Sequence, residues 1–251
     1  VTVAITLPDS TPQAAQSWHG MLAISERIGP EGWAVVGGQM TVLHATERGF
    51  DLPRVTDDGD IAVAVRAYPR RLKDVTQALH DLGFKVDNDR GDLPFAEARD
   101  ETRYLKGSAR IDLLVPKGLR PTSNAIKTVR GGRVLASHGV QRALERSEPV
   151  VVTVERIIGT VLRPDLPGAI AAKAAAYQQE SGPKRDRHLL DIVTLGKMLG
   201  PGDTRREPWN RRELARVQAA VRAIGSGGRL SVSTTDVTTA VDLIELFARR
   251  S

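Results

Sequence analysis

The sequence predicts an α+β protein, with a mixed sheet and covering helices over residues 1–118 and a mainly helical domain over 119–251. Three observations predict it. Short apolar runs alternate with helix-spaced apolar residues through the first third, as in a sheet covered by helices. After Pro116 the composition turns to Gly, Lys, Arg and Ser. Beyond that stretch, helix-length periodic segments dominate.

Taken in order, residues 17–28 carry Trp18, Met21, Leu22, Ser25 and Ile28 at helical spacing. The apolar run 33–36 meets Gly37 and Gly38 and passes into 39–46, which reads as strand, tight turn and helix. Residues 60–65 read as a second strand. Leu72, Val75, Leu79 and Leu82 form one stripe over 70–82, and Gly83 is a C-terminal stop. Residues 84–86 and 109–115 supply further strands. The stretch 117–133 suits a linker or a phosphate-facing loop. Residues 150–154 and 157–162 are strand-like. Helices are expected at 169–180, 186–199, 211–224 and 236–250, separated by Gly182-Pro183, Gly200-Pro201-Gly202 and the glycines between Gly225 and Gly228. There is no internal repeat or low-complexity tract.

Composition bounds the chemistry. The 251 residues contain no cysteine, which excludes disulfides, cysteine-ligated zinc and thiol nucleophiles. No apolar run approaches the ~20 residues that span a bilayer, and the first residues lack a basic-then-apolar order, so the expectation is a cytoplasmic protein without a membrane partner. A net charge of +6 favours polyanionic partners, nucleotides or RNA. Basic residues cluster at 66–73, 184–187, 205–216 and 249–250, each of which taken alone reads better as a solvated helix face. Aromatic residues are too scarce for a single-strand stacking platform.

The informative stretch is Val35-Val36-Gly37-Gly38, followed by Arg54-Val55-Thr56-Asp57-Asp58-Gly59-Asp60-Ile61. On a strand, i and i+2 share a face, so the carboxylates of Asp58 and Asp60 lie close and repel. A divalent cation relieves the repulsion, and hard oxygen ligands suit magnesium, with manganese as a substitute. Asp112 interrupts the apolar strand 109–115, where an uncompensated charge would cost several kcal/mol. If its strand lies beside 60–65, the three acids can hold two ions ~3.5–4 Å apart, one activating an acceptor oxygen and one steadying a leaving pyrophosphate. Gly37 and Gly38 offer unobstructed N–H groups at a helix start, where a triphosphate can sit.

These residues resemble the nucleotidyltransferase fold of DNA polymerase beta type, and within it the AbiEii and MenT-like toxins. The resemblance spans roughly 33–199 and rests on Gly37, Gly38, His44, Arg54, Thr56, Asp58 and Asp60, with Lys173 and Lys184-Arg185-Asp186-Arg187-His188-Leu189-Leu190-Asp191 downstream. It departs at Gln39, where a small hydroxyl residue often follows the glycines, and at Gly59, which replaces an apolar residue between the acids. The resemblance implies transfer of a nucleoside monophosphate from a nucleoside triphosphate to a tRNA 3′ end, by the toxin of a toxin–antitoxin pair with a cognate antitoxin. Asp58, Asp60 and Asp112 would bind metal, Asp112 also being the candidate base. Gly37, Gly38, Gln39, Arg54, Thr56, Lys173, Arg187 and Asp191 would contact the nucleotide.

Other readings stand beside these. His44 reads better as a packed helix histidine than as a base, and Asp57 as a turn residue. Asp191 either pairs locally with Arg187 or His188, or orients Lys173 or Arg187 toward phosphate. The alternative functions are transfer to a small molecule of aminoglycoside type or to a protein hydroxyl, and a catalytically idle nucleotide- or RNA-binding protein. No hydrolase triad, zinc-protease helix, Walker lysine or dinucleotide glycine motif is present.

Overall fold

The computed structural model describes residues 3–8, 10–52, 56–87, 100–120, 123–182, 184–226 and 232–251. It is an α+β protein. The order is β1 (Val3–Thr6), α1 (Pro12–Ile28), β2 (Trp33–Val36), α2 (Gly37–Arg48), β3 (Gly59–Val63), α3 (Arg71–Asp81), β4 (Lys85–Val86), β5 (Arg103–Lys106), β6 (Ala109–Pro116), β7 (Leu135–Ser137), α4 (Val140–Glu145), β8 (Ser147–Val154), β9 (Ile157–Pro164), α5 (Leu166–Gln179), α6 (Lys184–Gly196), α7 (Arg211–Gly225) and α8 (Thr234–Ala248). None of the described helices is long and apolar enough to cross a membrane.

The strands form two sheets. The larger is mixed, in the order β2-β3-β6-β5-β4, with β7 also on β6; the smaller is β1-β8-β9. β3 and β6 are parallel, whereas β2 and β5 run antiparallel to their neighbours. β5 and β6 are joined by the two residues Gly107 and Ser108, a loop length and composition that favour a hairpin. β1 pairs in parallel with β8 across more than half the length of the chain, Val3 opposite Val150.

Two main cores result. The first gathers Trp18, Met21, Trp33, Ile61, Leu79 and Ile111, and continues past residue 118 into Val150, Val152 and Val161 of β8 and β9. The second joins α5 to α8 through Ile170, Ile192, Trp209, Val217 and Ile244. Helix α2 serves both, sending Leu43 into the first and Met40 and Ala45 into the second. Its first turn is thereby fixed where the cores meet.

Local chemistry sets the helix starts. Thr11 caps α1 by accepting from the Ala14 N–H at 3.1 Å, with Pro12 just inside the helix. Asp165 caps α5 through the Gly168 N–H at 2.7 Å, and Asn210 with Glu213 forms a capping box on α7.

Candidate active site

The geometry begins with strand register. Asp60 on β3 stands directly opposite Asp112 on β6, and Asp112 directly opposite Arg103 on β5. Residues paired across a pleated sheet project from the same face, so Arg103, Asp112 and Asp60 form a row across three strands. Arg110, two residues before Asp112, shares that face. Its guanidinium lies 3.3 Å from Asp58 and 3.7 Å from Asp112, which brings the third acid into the cluster.

β2 passes into α2 without a side-chain cap, and the turn works only with glycine. Gly37 has φ +62°, and a Cβ there would fall 1.8 Å from Asp60 Oδ2. A Cβ on Gly38 would fall 2.1 Å from Thr56 Oγ1. Backbone therefore lies against the acid, and the nearby Gly38 N–H favours the ionised form of the Asp60 carboxyl. Gln39 is turned inward: it accepts from Trp18 Nε1 at 2.8 Å and donates to the Thr56 carbonyl at 2.9 Å. It braces the segment leading to the acids, held between Trp18 and Thr56.

That segment is also tied to α1. Thr11 Oγ1 donates to the Asp57 carboxylate, Ser17 Oγ lies 2.9 Å from the Asp57 carbonyl, and Gln13 donates to Asp58 at 3.2 Å. Asp57 is thus a loop anchor.

Each neighbouring acid has its own cation except one. Arg103 grips Asp112 through two hydrogen bonds of 2.8 and 2.9 Å, and Arg110 faces Asp58. Lys173, on α5, donates to Asp191 of α6 at 2.6 Å, with both side chains buried. Among the described residues Asp60 has no ion pair. Burial, then the charge of Asp112 and to a lesser degree Asp58, push its carboxyl up to about 7, opposed by Lys173 and the Gly38 N–H.

A cleft of about 250 Å³ opens over this row, lined by Gly37, Asp60, Arg103, Arg110, Asp112 and Lys173, with Ser137 to Val140 opposite. Its floor is a small apolar cluster in which Val140 and Ala143 of α4 meet Val36 and Ala62. Among the described residues no three carboxylate or imidazole groups converge tightly enough to hold a metal ion unaided.

The structure separates the remaining expected residues. Thr56 sits at the edge, against Gly38. Arg54 lies outside the described residues. Arg187 is exposed on α6, and the α6 side chain that reaches the cleft is His188. His44 is fully buried, with Nε2 3.0 Å from the Pro164 carbonyl, and burial followed by the charge of Arg163 holds its imidazole well below the usual value. It is a neutral core histidine. Arg103 and Arg110 are not among the residues that the sequence pattern singles out. The spacing of Arg110 and Asp112 in one strand is a usable signal; Arg103 requires recognition of the Gly107-Ser108 hairpin.

A second groove, of about 450 Å³, shares the wall Ser137 to Gly139 with the cleft. Arg66, Lys117, His138, Arg212 and Arg216 line it. Partial desolvation and the charges of Lys117, Arg216 and Arg212 hold the His138 imidazole below its ordinary value. Arg142 also lines the groove, but Glu145, Glu207 and Glu213 neutralise it.

No family model, curated protein or solved structure matches the chain.

Proposed function

We propose that the chain is a magnesium-dependent nucleotidyltransferase that moves a nucleoside monophosphate from a nucleoside triphosphate to an acceptor hydroxyl. The observation that carries this reading is the register of β3 and β6, which sets Asp60 against Asp112 beneath the Gly37 turn. Two carboxylates and a glycine-only approach of backbone N–H groups in one cleft match the needs of a metal-bound triphosphate.

The donor set fits a hard divalent cation. Asp60 has oxygen ligands directed at the cleft and no ion pair among the described residues, and Asp58 adds a second carboxylate. Magnesium or manganese held there would supply charge stabilisation at the phosphates. In the transfer, the acceptor oxygen bonds to the α-phosphorus, the bond to pyrophosphate breaks, and the acceptor proton passes to a carboxylate of the cluster. Asp112 is a weak candidate for that proton, because Arg103 engages both its oxygens; its part is to hold negative charge in place. Lys173, fixed by Asp191, presents a positive charge on the cleft wall where phosphate charge must be offset.

The adjoining basic groove favours a polyanionic acceptor over a cationic aminoglycoside. A tRNA 3′ end and membership of a toxin–antitoxin pair extend this reading along the resemblance. The test is incubation with each labelled triphosphate, magnesium and total tRNA, beside an Asp60→Ala control. Label on RNA with the wild type alone is the expected result; label with both proteins, or none with any acceptor tried, overturns the reading.

A further inference from the structure

We propose that Arg110 is a displaceable counter-cation, standing between Asp58 and Asp112 where a divalent cation binds and leaving that place when the cation arrives. The inference rests on the metal-dependent reading above and concerns how the site is kept before loading.

The two arginines on the acid row differ in how they are held. Arg103 is 15 % exposed and makes two well-formed hydrogen bonds to one carboxylate, the bidentate geometry that fixes a guanidinium. Arg110 is 30 % exposed, and its contacts at 3.3 and 3.7 Å are ion pairs without hydrogen-bond geometry. Its Nε has no hydrogen-bond partner. Such an arrangement attracts by charge alone, and a partly exposed pair of this kind contributes little.

Its position explains why it is there. Asp58, Asp60 and Asp112 crowd three negative charges together, and a single guanidinium spread between two of them reduces the repulsion without filling the site. A dication offers twice the charge in a smaller radius, so it prevails at the same oxygens. The Arg110 backbone cannot follow the side chain, because its N–H donates to Ser17 Oγ at 3.1 Å and β6 is paired on both sides. The side chain alone swings, and the cleft that it lines is where triphosphate oxygens enter. The released guanidinium then serves as a phosphate ligand, coupling metal occupancy to nucleotide grip.

The test is titration of the full-length protein with Mn²⁺ alone, free ion being counted by electron paramagnetic resonance. Arg110→Gln is expected to tighten Mn²⁺ binding about two- to fivefold, the range that removal of a weak competing ion pair allows. Asp60→Asn is expected to abolish it. Unchanged or weaker binding in Arg110→Gln, with binding still dependent on Asp60, overturns the displacement and leaves the metal site standing. Binding indifferent to Asp60→Asn overturns both. Should Arg110→Gln fail to fold by circular dichroism, a crystal of the wild type with Mn²⁺ decides: a guanidinium turned away from Asp58 supports the proposal, and one still within ion-pair distance sinks it.

Discussion

The acid cleft and the basic groove share a wall at Ser137 to Gly139 and are opposites in construction. In the cleft, charges are matched almost one to one: Asp112 with Arg103, Asp58 with Arg110, Asp191 with Lys173, and Asp60 left over. In the groove, Arg66, Lys117, Arg212 and Arg216 form no ion pair among the described residues. Contacts made in the cleft depend on position, where tenths of an ångström count. Attraction to the groove depends on net charge, which tolerates displacement and is screened by salt. Substitutions in the cleft should therefore act sharply and through geometry, and those in the groove weakly and through ionic strength.

The sharpest test is Gly37→Ala. The added Cβ would lie 1.8 Å from Asp60 Oδ2 and 2.8 Å from Asp60 Cβ, at φ +62°. The expected outcome is a fall in transfer by more than about a hundredfold and in stability by about 2–4 kcal/mol. Gly49→Ala is the matched control. It has φ +70° with nothing within 4 Å, so it carries the backbone penalty of about 1 kcal/mol without crowding an acid. Equal activity losses in the two variants would remove the close approach to Asp60 as the reason for Gly37.

Next in size is Lys173→Met, which deprives the buried Asp191 of its lysine and should cost about 3 kcal/mol in urea unfolding. Lys173→Met combined with Asp191→Asn should recover most of that stability while transfer stays low. Recovery of both would make the pair structural.

Asp60→Asn has a smaller effect of opposite sign. A carboxyl raised to about 7 in the folded chain is destabilising once ionised: the folded protein binds more protons than the unfolded one between the ordinary Asp value and about 7, so stability falls as pH rises through that window. Full conversion of the rise would be about 4 kcal/mol, and the partial exposure of Asp60 reduces it to about 1–2 kcal/mol. Without divalent metal, Asp60→Asn should melt higher than wild type above pH 7 and match it near pH 4. A pH-independent difference would place the strain elsewhere.

This contrast also marks what could be read from sequence. Asp60 and the Gly37-Gly38 turn were legible because their geometry is local, set by a strand start and a strand-to-helix step, whereas Asp58 lies just before β3 and joins the row through Arg110, not by strand alternation. Asp112 was legible as an acid in an apolar run. Its partners were not, since the Arg103–Asp112 bridge depends on which strands are neighbours, and four residues of β5 carry too little pattern to announce a strand. β1 and the short α4 escaped for the same reason. Arg187 stood one position from the residue that faces the cleft, and on a helix one position turns a side chain by about 100°. Gln39 looked like a departure in a phosphate turn, yet its amide answers Trp18, an interaction made in tertiary structure.

The smallest effect belongs to the groove. Arg212→Glu with Arg216→Glu reverses two charges on α7 that form no ion pair among the described residues. If an acceptor strand lies along this wall, KM for RNA should rise about tenfold at low salt, with kcat and KM for the triphosphate within about twofold of wild type. The decisive readout is the salt dependence: removing one phosphate-neutralising charge should lower the slope of log affinity against log salt by about 0.7 to 0.9, so the double variant should fall by about 1.4 to 1.8. The difference from wild type should therefore shrink as salt rises, because screening already suppresses the attraction that the substitutions remove. An unchanged slope would mean that the acceptor is small or approaches from another side, and would make the cleft alone responsible for recognition.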